Sequence, residues 1–296
     1  MSDFSPETRN SAWWSGDSRK AANGKANEVV LTKLGKLPIP DLSDVEAVQM
    51  GHVMEPVIGQ LAQSKLGIEL RKIEESLVHP KHDWFKSHFD FAGQRNGKTV
   101  LVECKNYNAA VRNKFDDKVI PPADMAQLVH EAAVWGTDEI YLAVLFGGQE
   151  FQCFHFQISD QQKEELIQAM AVYWAAVQTQ TPLDPEDIAQ AKALFPVSRD
   201  NTVTATGALE QACRTLALIK QEIKALEARE EAFQVAIQGY LKDADTLVTV
   251  DGQVLATWKS AKPSKGFDAK LFQAANPVMY DQFVVEKPGS RRFLIK

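Results

Sequence analysis

The sequence predicts an α/β fold: a central mixed sheet flanked by helices, with a smaller helix-and-hairpin module at the C-terminal end. Three features of the 296-residue chain carry this expectation. Helical and strand patterns alternate through the first part of the chain, as in a sheet covered by helices. A β-branched, apolar run at 99–105 follows the turn chemistry of Asn96-Gly97, the signature of a hairpin. The composition then shifts at Thr181-Pro182-Leu183-Asp184-Pro185, and a long heptad-patterned stretch follows. The expected divisions are a domain at 1–185, a linker at 186–206 and a C-terminal module at 207–296.

With 45% hydrophobic residues, the chain can bury one large core or a core and a smaller domain. No apolar run is long enough to span a bilayer, and the start Met1-Ser2-Asp3-Phe4-Ser5-Pro6 has neither a basic nor an apolar leader region. A soluble, cytoplasmic protein is expected. Cys104, Cys153 and Cys213 are few and far apart, which suits free thiols in a reducing compartment. They also fall short of the four cysteines of an iron–sulfur site. The net charge of −6 means that any contact with nucleic acid must rest on a local basic surface.

Residues 1–28 are polar with little periodicity. They contain Trp13-Trp14, read as core packing, and the charged run Asp17-Ser18-Arg19-Lys20. A helix is expected from near Gly24, with Pro38-Ile39-Pro40 ending it. A longer helix at 44–67, capped by Ser43 or Asp44, has a wide apolar face that includes Val48, Met50, Val53, Val57, Ile58 and Leu61. It carries Glu55, followed by Pro56 and an expected kink. Residues 68–83 read as a strand and then a loop, with His79, His82 and His88 taken as solvated rather than as zinc ligands, because no cysteine lies nearby. After the hairpin comes a basic loop with Arg112, Lys114 and Lys118, then a helix at 123–135 on which Gln127 and His130 share a face. Strands at 139–146 and 151–158, joined at Gly147-Gly148, and a helix at 159–179 complete the domain.

In the C-terminal module, a helix at 207–243 places Leu209, Leu216, Ile223 and Ile237 in one heptad row and Ile219, Leu226, Phe233 and Tyr240 in another, with Glu230 interrupting the first. Asp251-Gly252 marks a second hairpin. A short helix at 268–275 and a last strand at 291–296 are expected beyond it.

The candidate chemistry lies in the first hairpin. Side chains alternate along a strand, so Glu103 and Lys105 share a face, Cys104 points away, and Asp90 can sit opposite from the partner strand. Burying two carboxylates and an ammonium among apolar strand residues costs several kcal/mol unless each is partnered. A divalent cation would reconcile them.

The Asp90, Glu103-x-Lys105 arrangement resembles the PD-(D/E)XK nuclease core. Gly51-x-x-x-Glu55-Pro56 precedes it on a helix and Met125-Ala126-Gln127-x-x-His130 follows on another, and that order resembles the YqaJ-type viral recombinase family of lambda exonuclease-like proteins. The resemblance implies a Mg²⁺-dependent exodeoxyribonuclease that resects duplex DNA 5′ to 3′ for phage-type recombination by strand annealing, with two metal ions and Mn²⁺ as a substitute. It implies that Asp90, Glu103 and the Cys104 backbone carbonyl bind metal and that Glu55 supports a second ion. Lys105 would orient the attacking water, and Gln127 would position Lys105 or the phosphate. For a 5′-phosphate it points to Arg19 or Lys20, and to Asn27 where relatives use Ser; His130 stands where relatives often carry Tyr, and the basic loop with Arg112 and Lys114 is a candidate to track DNA phosphates. The implied partners are DNA ends, further copies in a ring-shaped homotrimer, and a single-strand annealing protein, in a phage or prophage setting. Two other readings stay open at this level: an endonuclease or RecB-like single-strand nuclease on the same core, and a non-catalytic DNA-end clamp.

Overall fold

A computed structural model describes residues 6–116, 119–286 and 289–295. Lys118 of the basic loop, Lys296 of the expected last strand and residues 1–5 of the start lie outside them. The chain divides into two compact units, 1–195 and 196–296.

The first unit opens with α1 (Pro6–Asn10), the two-residue strand β1 (Trp13–Trp14), α2 (Ser15–Lys20) and α3 (Ala26–Lys33). Gly24 bends the chain between the last two at φ +75°, a conformation that glycine adopts without penalty. Helix α4 (Glu46–Leu66) leads to strand β2 (Leu70–Lys72), the hairpin β3 (Leu77–His79) and β4 (His82–Ser87), and then β5 (Phe91–Arg95) and β6 (Lys98–Tyr107). After a 3-10 turn at Ala109–Lys114 come α5 (Pro122–Trp135), β7 (Glu139–Phe146), β8 (Glu150–Gln157), α6 (Asp160–Gln178) and α7 (Ile188–Leu194).

The central sheet has the order β2-β5-β6-β7-β8. Strands β6 and β7 run parallel and every other neighbour is antiparallel, so the sheet is mixed, as expected. The β5–β6 turn holds Asn96 and Gly97 at φ 51° and 76°, the geometry that Asn-Gly was expected to supply. One face of the sheet packs on α3, α5 and α6 through residues such as Leu101, Leu128, Ile140, Leu142 and Trp174. The other packs on α4 through Ile58, Ala62, Phe91, Val100, Val102 and Ala143. Strand β6 is therefore buried on both faces, and its odd-numbered charged residues lie on the α5 side.

Several expectations need correction. Helix α4 has Val45 at its N-cap with no side-chain capping bond, and not Ser43 or Asp44. Only Ile58, Gly59 and Ala62 of α4 are buried, so the wide apolar face is mostly uncovered: Val53 is 62% exposed. Residues 6–28 contain more structure than their polarity suggested, and Trp13 and Trp14 are buried as expected. Trp13 pairs in parallel with Phe85 of β4, which gives a second, three-stranded sheet β1-β4-β3. His79 and His82 belong to this hairpin and stack on each other at 4.9 Å, and His88 stacks on Trp14 at 4.8 Å, so the three are not loose loop residues. The start of the expected linker 186–206 is instead α7, whose Gln190 is buried against Asn27.

In the second unit, α8 (Gly207–Leu241) begins at Thr206, whose hydroxyl accepts from Leu209 N. Strands β9 (Thr246–Val248) and β10 (Val254–Thr257) form the expected hairpin, followed by α9 (Ala269–Ala275) and α10 (Pro277–Asp281). Residues 291–295 are not a strand; the described sheet here holds only β9 and β10, and an apolar run without a pairing edge gains no ladder.

Candidate active site

Strand β6 builds the site. Glu103 is 5% exposed and lies beneath α5, and two donors converge on its Oε1. Lys105 Nζ donates at 2.5 Å and Gln127 Nε2 at 2.6 Å. Both geometries follow from periodicity: Lys105 is two residues along the strand, and Gln127 faces the sheet from α5. The same Gln127 nitrogen donates to Glu131 Oε1 at 2.9 Å, so one amide ties two buried carboxylates together. Asp90 sits immediately before β5, where the β5–β6 register, continued by one residue, puts it opposite Glu103. Its Oδ2 accepts the Cys104 N–H at 2.7 Å. Glu55 arrives from α4 and pairs with Lys72 of β2 at 3.1 Å.

The electrostatics show an excess of negative charge. Burial, then the Glu103 charge, pushes the Asp90 carboxyl well above the usual range, with Lys105 a partial offset and Glu55 a further push. Burial and Glu103 do the same to Glu131. Burial alone would lower Lys105, but Glu103 and Asp90 outweigh it and hold the ammonium charged above its ordinary pKa. Burial and Asp90 push the Cys104 thiol upward, which keeps it protonated and unsuited to act as a nucleophile.

These groups fit a hard divalent cation. Among the described residues, Glu55 pairs with Lys72 and Glu103 with Lys105, and the hydrogen bonds described above engage one oxygen each of Asp90 and Glu103. Among the described residues no three His, Cys, Asp or Glu side chains form a ready-made cage. Two carboxylates with water and backbone oxygens nonetheless suffice for Mg²⁺, which keeps much of its hydration.

Beyond Lys105 the same strand face continues to Tyr107, roughly 13 Å from Glu103 at the usual strand rise. Tyr107 OH donates to Asp124 Oδ1 at 2.7 Å, and Arg19 of α2 joins them, donating Nε to Asp124 at 3.0 Å and a terminal nitrogen to Tyr107 OH at 2.9 Å. Arg19 is thereby fixed beside strand β6 while its side chain stays 39% exposed. Lys20 is exposed, as is Lys114, and Arg112 pairs with Glu150 at 2.7 Å.

Two expected DNA contacts are placed elsewhere. Asn27 is buried and donates to Asp184 O and Gln190 Oε1, both at 2.7 Å, which fastens the segment around α7. His130 is fully buried, bonded through Nδ1 to Ser18 Oγ at 2.8 Å and through Nε2 to Lys86 O at 2.9 Å, and stacked on Phe85. Neither can reach a phosphate in this arrangement. Glu131 and the Tyr107–Asp124 clamp join the site without having been expected from the sequence. Their signals were spacing: Glu131 is four residues after Gln127 on one helix face, and Tyr107 is two after Lys105 on one strand face.

Residues 16–138 match the profile described as the YqaJ-like viral recombinase domain. The matched segment spans Arg19, Glu55, Asp90, Glu103, Lys105, Gln127 and Glu131, so all the groups assembled above fall within it. No curated protein matches the chain. The chain is also similar to the alkaline exonuclease LHK-Exo of Laribacter hongkongensis, at 12% identity and a TM-score of 0.47 over 59% of this chain and 92% of that one. The dAMP complex of LHK-Exo aligns at 15% identity and 0.46 over 58% and 91%. A phage related exonuclease from Haemophilus somnus 129PT aligns at 12% identity and 0.39 over 55% and 82%.

Proposed function

We propose that the first unit is a divalent-metal-dependent exodeoxyribonuclease that digests one strand of duplex DNA from its 5′ end. The observation that carries this reading is the Glu103–Lys105–Gln127 knot with Asp90 beside it, inside the segment similar to the YqaJ-like viral recombinase domain. Asp90 and Glu103 would hold Mg²⁺, with the Cys104 carbonyl as a backbone donor and Glu55 toward a second ion. When bound, Mg²⁺ supplies charge neutralisation for the phosphate as it passes to the five-coordinate state.

The protein's own groups do the rest. Lys105, held charged by its neighbours, donates a hydrogen bond to the entering water and offsets charge building on the phosphate oxygens. A group that keeps its proton so firmly orients the water rather than deprotonating it. Gln127 locks the rotamer of Glu103, and Glu131 locks Gln127 in turn. Arg19, braced by Asp124 and Tyr107, offers its remaining donors to a terminal phosphate, which supports the preference for a 5′ end. The 5′-to-3′ direction, the homotrimeric ring and delivery of the 3′ strand to an annealing protein complete this reading.

Linear duplexes labelled at the 5′ or 3′ terminus of one strand test it, with a covalently closed circle as control. Labelled mononucleotide should appear first from the 5′ label, only with Mg²⁺ or Mn²⁺, and the circle should survive. Cutting of the circle would replace the proposal with an endonuclease.

A further inference from the structure

Helix α8 has an apolar stripe with no cover. Leu209, Ile219, Ile223, Leu226, Phe233 and Tyr240 are each between 44% and 78% exposed. Among the described residues no helix or strand packs along its length. An amphipathic helix of 35 residues needs a partner surface to hide such a stripe.

The charges beside the stripe specify that partner. In a parallel, in-register pair, each heptad residue faces its own copy, so Glu230 would meet Glu230 in the seam and Glu222 would flank Glu227 of the other helix, both repulsive. Reversing one helix, with Ile223 level with Leu226 of the second copy, removes both conflicts. Glu230 then lies level with Ile219 of the second copy and meets no like charge in the seam. Lys220 flanks Glu227 of the second copy on one edge of the seam, and Glu222 flanks Arg229 on the other, with each pairing made twice by symmetry. We infer that α8 pairs antiparallel with α8 of a second copy of this chain, in the register that sets Ile223 against Leu226. Such a pair is twofold, so it cannot be made inside a threefold ring. It joins two chains or two rings, and the number of copies is even.

Cys213, exposed on α8, supplies the probe. The antiparallel register brings position 234 of the second copy beside it, whereas within one helix the two positions are about 31 Å apart at the usual rise. Full-length Gln234→Cys, oxidised with diamide and mapped by peptide mass spectrometry, should give the mixed 213–234 disulfide between chains. A predominance of 213–213 or 234–234 bridges would overturn the proposal. Light scattering of the full chain should read an even multiple of 32.9 kDa. Lys220→Glu should weaken the pairing at least tenfold, and adding Glu227→Lys should restore it, because the exchanged charges meet again only in this register. A single-copy or odd mass, no rescue by the second substitution, or a helix occupied by an unlike protein while the chain itself stays unpaired would each refute it.

Discussion

Acidification should destabilise the first unit through His130. Its ring is fully buried, with Phe85 stacked on it, Ser18 and the Lys86 carbonyl on its two nitrogens, and His79 near enough to lower its pKa a little further. Burial lowers its pKa to about 3, from an ordinary 6.5. A histidine depressed in the folded state contributes stability that is complete above the unfolded pKa and is lost as pH falls from there toward the folded value. Between pH 6.5 and pH 5 that is 1.5 units, or about 2 kcal/mol at 1.36 kcal/mol per unit. Asp90 and Glu131, with raised values, act in the opposite sense and partly mask the loss in the wild type. The assay is therefore a difference: urea unfolding of wild type and His130→Phe, which keeps the stack on Phe85, at pH 7 and pH 5. The wild type should lose about 2 kcal/mol more than the variant over this interval. Equal losses would refute the buried, neutral state of His130.

Gly59→Ala should cost about 1–3 kcal/mol in the same unfolding assay, because its added Cβ would lie 2.5 Å from the Phe91 ring and force α4 off the sheet. Glu55 stands one turn earlier on that helix, so nuclease activity should fall more steeply than stability. Lys105→Met should lower kcat by about 10²–10³-fold with little change in KM, because it removes a donor that acts on developing charge. Arg19→Lys should raise KM several-fold for 5′-phosphorylated duplexes and leave 5′-hydroxyl duplexes nearly unaffected, since an ammonium cannot reach Asp124, Tyr107 and a phosphate together. Equal effects on both ends would remove Arg19 from end recognition. Glu131→Gln should lower kcat and weaken Mn²⁺ binding followed by titration calorimetry, because a second amide competes with Gln127 for its orientation; unchanged values in both would limit Glu131 to packing.

The strands and long helices were legible because they carry strong local signals. The β5–β6 hairpin had Asn-Gly where positive φ was needed, and β7 was a run of apolar and β-branched residues bounded by turns. The Asp90, Glu103 and Lys105 trio was legible for the same reason: alternation alone brings them to one place. The three-stranded sheet was not, since β1 is two residues long and gains its partner from Phe85, seventy-two positions away. No local periodicity encodes that pairing. His130 and Asn27 were misplaced because a polar residue on a helix carries no mark that separates solvent from a buried hydrogen-bonded socket. Here Ser18 and Gln190 supply the sockets from distant segments. The wide apolar face of α4 overstated burial, as one sheet covers only the Ile58 side.

A nuclease centred on strand β6 requires that Asp90 and Glu103 hold a divalent cation. Crystals of the wild-type protein soaked in Mn²⁺ and measured at the manganese absorption edge test this most directly. An anomalous peak in contact with both carboxylates, lost in Glu103→Gln, is the predicted result. A Mn²⁺-dependent enzyme whose anomalous signal lies away from Asp90 and Glu103 would contradict it.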